Sequence, residues 1–244
     1  MARKIDRKDL KNPDQFVSFW TRAGHFAKER QRMVLVVGIA LVTALVVGWA
    51  SKAFVSRRDA RASAAFARIE QVASAALLPE KGDAPSDGLP HYKTEKERLE
   101  AALKETDGFL KDFGGSGLKD EARLLRARFL LASERSSEAL TLYQELVGGV
   151  DRQLRFLALE GVAYAQEAAG QTDHAIGSFG KLAQDADSAG GFYRDRALYQ
   201  KARLLQNKGN AGEAEKIFKQ ILEKTPTTSL REEINDRLAA LAKK

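Results

Sequence analysis

The strongest structural signal in this chain is the stretch LLRARFLLASERSSEALTLYQEL at residues 124–146. Its apolar residues recur every three or four positions on both sides of a polar centre, which predicts two amphipathic helices joined by a turn. The first helix carries a small residue, Ala127. In the second helix, Ala139 follows twelve positions later, Tyr143 sixteen and Leu146 nineteen. Strand signals are almost absent from the chain, so an all-α fold is predicted.

The same spacing occurs twice more, starting from Ala163 and from Ala202. The three small residues that open the units lie 36 and 39 positions apart, so the chain repeats one helix pair. Helices that cross closely need alanine where their axes approach, and an aromatic ring can fill the wedge against the next pair. The predicted turns are Ser133–Ser137, Gly170–Asp173 and Lys208–Gly212. The predicted packing residues are Ala127, Ala139, Tyr143, Ala163, Ala175, Phe179, Ala202, Ala214 and Phe218.

This pattern resembles the tetratricopeptide repeat, in which a small residue in the first helix is followed by a small residue and an aromatic in the second. Pro226 stands where the closing proline of such a repeat would be. The large aromatic that the family has early in its first helix is absent, and the units are longer than the usual ~34 residues. The resemblance implies three repeats plus a capping helix at Leu230–Leu241, together residues 118–244. A generic helical bundle is the alternative.

A membrane segment precedes the repeats. Residues 33–50 read MVLVVGIALVTALVVGWA, with no charge and only Thr43 polar, and a run of about 18 apolar residues can cross a bilayer. We therefore expect a single transmembrane anchor at residues 33–55, followed by the tetratricopeptide-like solenoid. The alternatives are a buried core helix and a cleaved signal peptide.

The basic residues predict the orientation of this anchor. Nine Lys or Arg precede the apolar run and five follow within twenty residues, so the N-terminus should stay in the cytoplasm while the repeats cross to the periplasm. The expected location is the bacterial inner membrane, with one span. The net charge is +7, and residues 1–32 account for +5 of it, so the charge does not predict nucleic-acid binding by the repeats.

Two further features belong to the N-terminal half. The basic tail, residues 1–32, contains an apolar face at helical spacing, formed by Phe16, Phe19, Trp20, Ala23, Phe26 and Ala27. This helix either lies on the inner leaflet or continues into the span. Within the span, Ala40, Ala44 and Gly48 are four residues apart and form a small-residue face that could contact a partner helix, although small residues are common in spans.

Residues 57–117 are predicted to form a divergent first helix pair, with its two helices at 57–78 and 93–113. The loop between them, residues 79–90, reads PEKGDAPSDGLP and carries three prolines and two glycines.

Catalytic and metal motifs are missing from the sequence. There is no cysteine, and the three histidines are too scattered for a short-spaced metal site. We therefore expect no enzyme activity, no cofactor, no metal and no small-molecule substrate. The expected partners are proteins, bound on the surface that the first helices of the repeats would line. The candidate groove residues are Leu124, Arg128, Leu131, Glu160, Tyr164, Glu167, Arg196, Tyr199 and Arg203. The alternative is that some of these only pack.

The overall arrangement resembles the YfgM-type family of ancillary subunits of the bacterial Sec translocon. The resembling stretches are Asp14-Gln15-Phe16 and Arg30-Gln31-Arg32 before the span, and the repeats at 118–226. The long loop at 79–90 departs from that family's compact pattern. The resemblance implies contact with translocon subunits, periplasmic chaperones and exported clients. Two other interpretations are an envelope or division-complex scaffold unrelated to secretion and, with reversed topology, a cytoplasmic scaffold.

Overall fold

The computed structural model describes residues 30–78, 88–187 and 192–242. Within these residues the structure is all-α, apart from one bridge between Leu77 and Tyr92. The helices are α1 (Gln31–Ala73), α2 (Glu95–Phe113), α3 (Lys119–Ala132), α4 (Ser136–Val147), α5 (Arg152–Ala168), α6 (Thr172–Asp187), α7 (Phe192–Asn207), α8 (Ala211–Lys224) and α9 (Arg231–Ala242). The predicted amphipathic helix at 16–27 and most of the loop at 79–90 lie outside the described residues.

The chain divides into two compact units, with the boundary between Asp59 and Ala60. Between residues 35 and 50, α1 carries no charge and its side chains are exposed, as Leu45 and Trp49 illustrate at 73% and 74%. By length and composition, α1 can cross a membrane. Ala40, Ala44 and Gly48 are exposed as well. The Thr43 hydroxyl donates to the Ile39 carbonyl at 2.8 Å, so its hydrogen bond is made within the helix.

The predicted anchor stops at residue 55, but helix α1 runs on without a break at that position. It continues to Ala73, because residues 57–73 are rich in alanine and arginine and contain neither glycine nor proline. In the second unit, the last turns of α1 pack beside α2. The Phe66 and Phe109 rings meet edge to face at 5.8 Å, and Ile69 is fully buried.

The repeats are the helix pairs α3–α4, α5–α6 and α7–α8. All nine predicted packing residues are at most 2% exposed, as are the aliphatic residues that follow each aromatic, Leu146, Leu182 and Ile221. Burial of these small and aromatic side chains lets each pair close tightly and stack on its neighbour. At the C-terminal end, Ile234 of α9 is fully buried against the last pair, where the capping helix was predicted.

The turns inside the three pairs share one backbone feature. Seven residues after each opening alanine, Glu134, Gly170 and Gly209 adopt positive φ values of 61°, 74° and 88°. In each turn the next residue donates its N–H to a carbonyl five residues back, which closes the end of the first helix. Glycine adopts this left-handed conformation readily, whereas glutamate does so at an energetic cost.

Candidate functional site

The first helices of the repeats (α3, α5 and α7) line a groove of about 650 Å³, here called the central groove. Six of the nine predicted groove residues lie in it: Leu124, Arg128, Leu131, Glu160, Tyr164 and Arg196. Residues that were not predicted also line it, among them Leu99 of α2 and Phe129, Leu157 and Gly161. Leu157 is 37% exposed, so an apolar side chain is available to a partner.

A buried ion pair crosses the central groove. Glu160 of α5 is 7% exposed, and its Oε1 lies 2.6 Å from Nε of Arg196 on α7, whose side chain is about half exposed. Burial raises the pKa of Glu160 above its ordinary value, although the positive charges of Arg196 and Arg128 oppose the shift. Removing Arg196 would leave the buried carboxylate of Glu160 without its partner, so this pair links α5 to α7.

Two tyrosine rings form part of the groove wall. Tyr164 packs edge to face on Phe179 at 5.3 Å, and burial together with the charge of Glu160 raises the pKa of its phenol. Tyr143 lies against Gly161, where a Cβ atom would come within 2.5 Å of the tyrosine ring carbons. Burial raises the pKa of Tyr143 to about 12. An isolated glycine inside a helix was the sequence signal that could have identified Gly161.

The other three predicted groove residues lie outside the central groove; they are Glu167, Tyr199 and Arg203. Arg203 of α7 donates two hydrogen bonds to Glu167 of α5, at 2.8 and 2.6 Å, and so joins successive first helices. Tyr199 is 8% exposed, and its hydroxyl accepts a hydrogen bond from Nε of Arg237 at 2.9 Å. These contacts tie the repeats and the capping helix together, which favours a packing role for Glu167 and Arg203, whereas Tyr199 also lines a second groove.

Two more grooves lie along the second unit. The N-terminal groove, about 510 Å³, is formed by Glu95, Lys96, Leu99, Glu100, Leu103, Ala132, Ser133, Glu134 and Arg135. The C-terminal groove, about 640 Å³, is formed by Asp195, Arg196, Tyr199, Gln200, Thr225, Thr227, Thr228, Ser229, Leu230 and Glu233. Both are lined by polar and apolar side chains together.

The chemistry of these grooves suits non-covalent binding. They offer tyrosine rings and arginine, which are enriched where proteins meet, beside the exposed leucine at position 157. Within the described ranges, no group of three or more histidine, aspartate or glutamate side chains could hold a metal ion.

Comparison with known proteins identifies the fold. No family model and no curated sequence matches this chain. A crystal structure of the nearly identical TPR-like repeats of a Podosopora anserina protein, described as a kinesin light chain, is similar at 16% identity and TM-score 0.53. The match covers 61% of this chain and 80% of that one. A single-substitution variant of it is similar at 15% identity and TM-score 0.53, covering 61% and 79%. A tetratricopeptide repeat protein from Parabacteroides merdae has 19% identity and TM-score 0.47, covering 61% and 55%. The chain is thus an all-α protein with an N-terminal helix able to span a membrane, followed by a tetratricopeptide-like helical solenoid.

Proposed function

We propose that this protein is a membrane-anchored module that binds exported polypeptides in its central groove, at the Sec translocon and together with periplasmic chaperones. The observation that carries the proposal is the central groove itself. Its exposed Leu157, the Tyr164 ring and two arginines, Arg128 and Arg196, form a binding surface without reactive groups. Surfaces of this kind hold other chains by burial and hydrogen bonding alone.

The membrane part of the proposal is supported by the apolar exterior of α1 and by the basic residues that precede it. Nine Lys or Arg before the apolar run favour a cytoplasmic N-terminus and a periplasmic repeat domain. Alkaline phosphatase fused behind the repeats tests this orientation, because the enzyme is active only outside the cytoplasm. An inactive phosphatase fusion together with a bright cytoplasmic fluorescent fusion would refute the proposed topology.

In-cell photocrosslinking tests the binding site. A photoreactive amino acid at Leu157 would probe the central groove, and one at the exposed Lys216 of α8, outside all three grooves, is the matched control. We expect position 157 to crosslink exported proteins and translocon subunits, identified by mass spectrometry, well above position 216. Crosslinks that are equal at both positions would contradict the groove as a binding site. Crosslinks only to cell-division or envelope proteins would favour a scaffold role.

A further inference from the structure

The three grooves share lining residues. Leu99 and Ala132 line both the N-terminal and the central groove, and Arg196 lines both the central and the C-terminal groove. The grooves therefore follow one another without an intervening residue, from the start of α2 to the turn before α9. A single ligand could enter all three.

From this arrangement, and resting on the function proposed above, we infer that the grooves form one channel for an extended polypeptide segment with an apolar centre and basic side chains at both ends. The path runs from α2 over α3, α5 and α7 to the start of α9, which is four steps between helices. At about 8–10 Å for each step, it is roughly 30–40 Å long. An extended chain covers this length with about 9–12 residues at ~3.3 Å each. A helix would need about 20–27 residues at ~1.5 Å each, and it is about 10 Å wide.

The centre of the channel carries an apolar strip beside a paired charge. Leu99, Leu131 and Leu157 lie there with the Tyr164 ring, and the Glu160–Arg196 ion pair lies next to them. Arg128 is exposed and makes no hydrogen bond or ion pair with any residue the structure describes. Its guanidinium can donate to main-chain carbonyls, which an extended segment presents and a helix does not.

The N-terminal end of the channel has one excess negative charge. In that groove Glu95 is paired with Arg98, and Arg135 with Glu138. The remaining lining charges are one lysine, Lys96, and two carboxylates, Glu100 and Glu134, and neither carboxylate has an ion pair in the described part of the chain.

The C-terminal end is also acidic. Asp195 is paired with Arg194, and Arg196 with Glu160. Glu233 lies on the rim, is exposed, and has no ion pair with another described residue. Because both ends carry a carboxylate without a partner, the channel favours a segment whose two ends are basic.

Fluorescence anisotropy tests the predicted specificity on the full chain in detergent. The probe is a dye-labelled twelve-residue peptide, KKLSVLSVLSKK, and the matched peptide has glutamate in place of each lysine. We expect the basic-ended peptide to bind at least tenfold more tightly. Glu134→Gln and Glu233→Gln should each weaken it by about two- to fivefold, in line with exposed charge pairs. Glu223→Gln, an exposed change outside the grooves, should not.

Photocrosslinkers at the two ends of the same peptide test the continuous path. We expect one end to mark residues 95–100 or 134 and the other to mark residues 225–233. Labelling of the central groove alone, helical circular dichroism of the bound peptide, equal binding of the acidic-ended peptide, or no binding would each overturn this inference. The proposed function would still stand if in-cell crosslinks from position 157 exceeded those from position 216.

Discussion

Replacing Gly161 by alanine tests how closely α4 and α5 approach. The new Cβ would lie within 2.5 Å of the Tyr143 ring carbons, whereas carbon atoms in contact are normally about 3.5–4.0 Å apart. Tyr143 is only 2% exposed, so its ring has little room to move away. We therefore expect Gly161→Ala to lower the free energy of unfolding.

The size of the effect follows from two opposing contributions. Alanine in a helix interior is worth up to about 1 kcal/mol over glycine. Overpacking a tight contact costs about 1–3 kcal/mol. The matched control is Gly177→Ala in α6, where a Cβ meets nothing within 4 Å. That variant should gain the helix contribution alone, so the two variants should differ by about 1–3 kcal/mol.

Urea unfolding of the full chain in detergent, followed by circular dichroism at the helical band, measures this difference. With a slope of about 2 kcal/mol per molar urea, the midpoints should lie about 0.5–1.5 M apart. Tyr143→Leu should remove most of the penalty of Gly161→Ala, because the two residues are in contact. Equal midpoints for Gly161→Ala and Gly177→Ala would refute the close approach.

Glu134→Gly should stabilise the fold by about 1 kcal/mol, because glutamate is strained at positive φ; an unchanged unfolding midpoint would contradict this. Tyr143 should titrate near pH 12, seen as tyrosinate absorbance missing from Tyr143→Phe. Because burial raises the pKa of Tyr143 in the folded protein, the contribution of this residue to stability should be complete below pH 10 and be lost as the pH rises through about 12. Titration of Tyr143 near pH 10 would argue against its burial. Leucine at both Ala44 and Gly48 should reduce co-purification with membrane partners more than alanine at both Leu41 and Leu45 does, if the small-residue face contacts a partner helix. Equal recovery would show that the face is exposed to lipid.

The repeat and the apolar span could be predicted because each depends on local spacing. Ala127 and Tyr143 are sixteen residues apart in one helix pair, a distance set by helix periodicity and a short turn. The glycines at positions 170 and 209 even mark two of the three left-handed turns. Position 134 carries glutamate instead, so nothing local revealed that the first turn has the same conformation.

The amino-acid order by itself determined the helix pairs, their buried alanines and aromatics, and a segment apolar enough for a membrane, since these follow from periodicity and composition. Only the tertiary structure decided which side chains meet between pairs. Glu160 and Arg196 are 36 residues apart, as are Glu167 and Arg203, yet the first pair lies in the central groove and the second does not. The rotation and shift of each helix pair relative to the next determine which side chains come into contact. Both depend on packing across the whole solenoid, which no local pattern encodes.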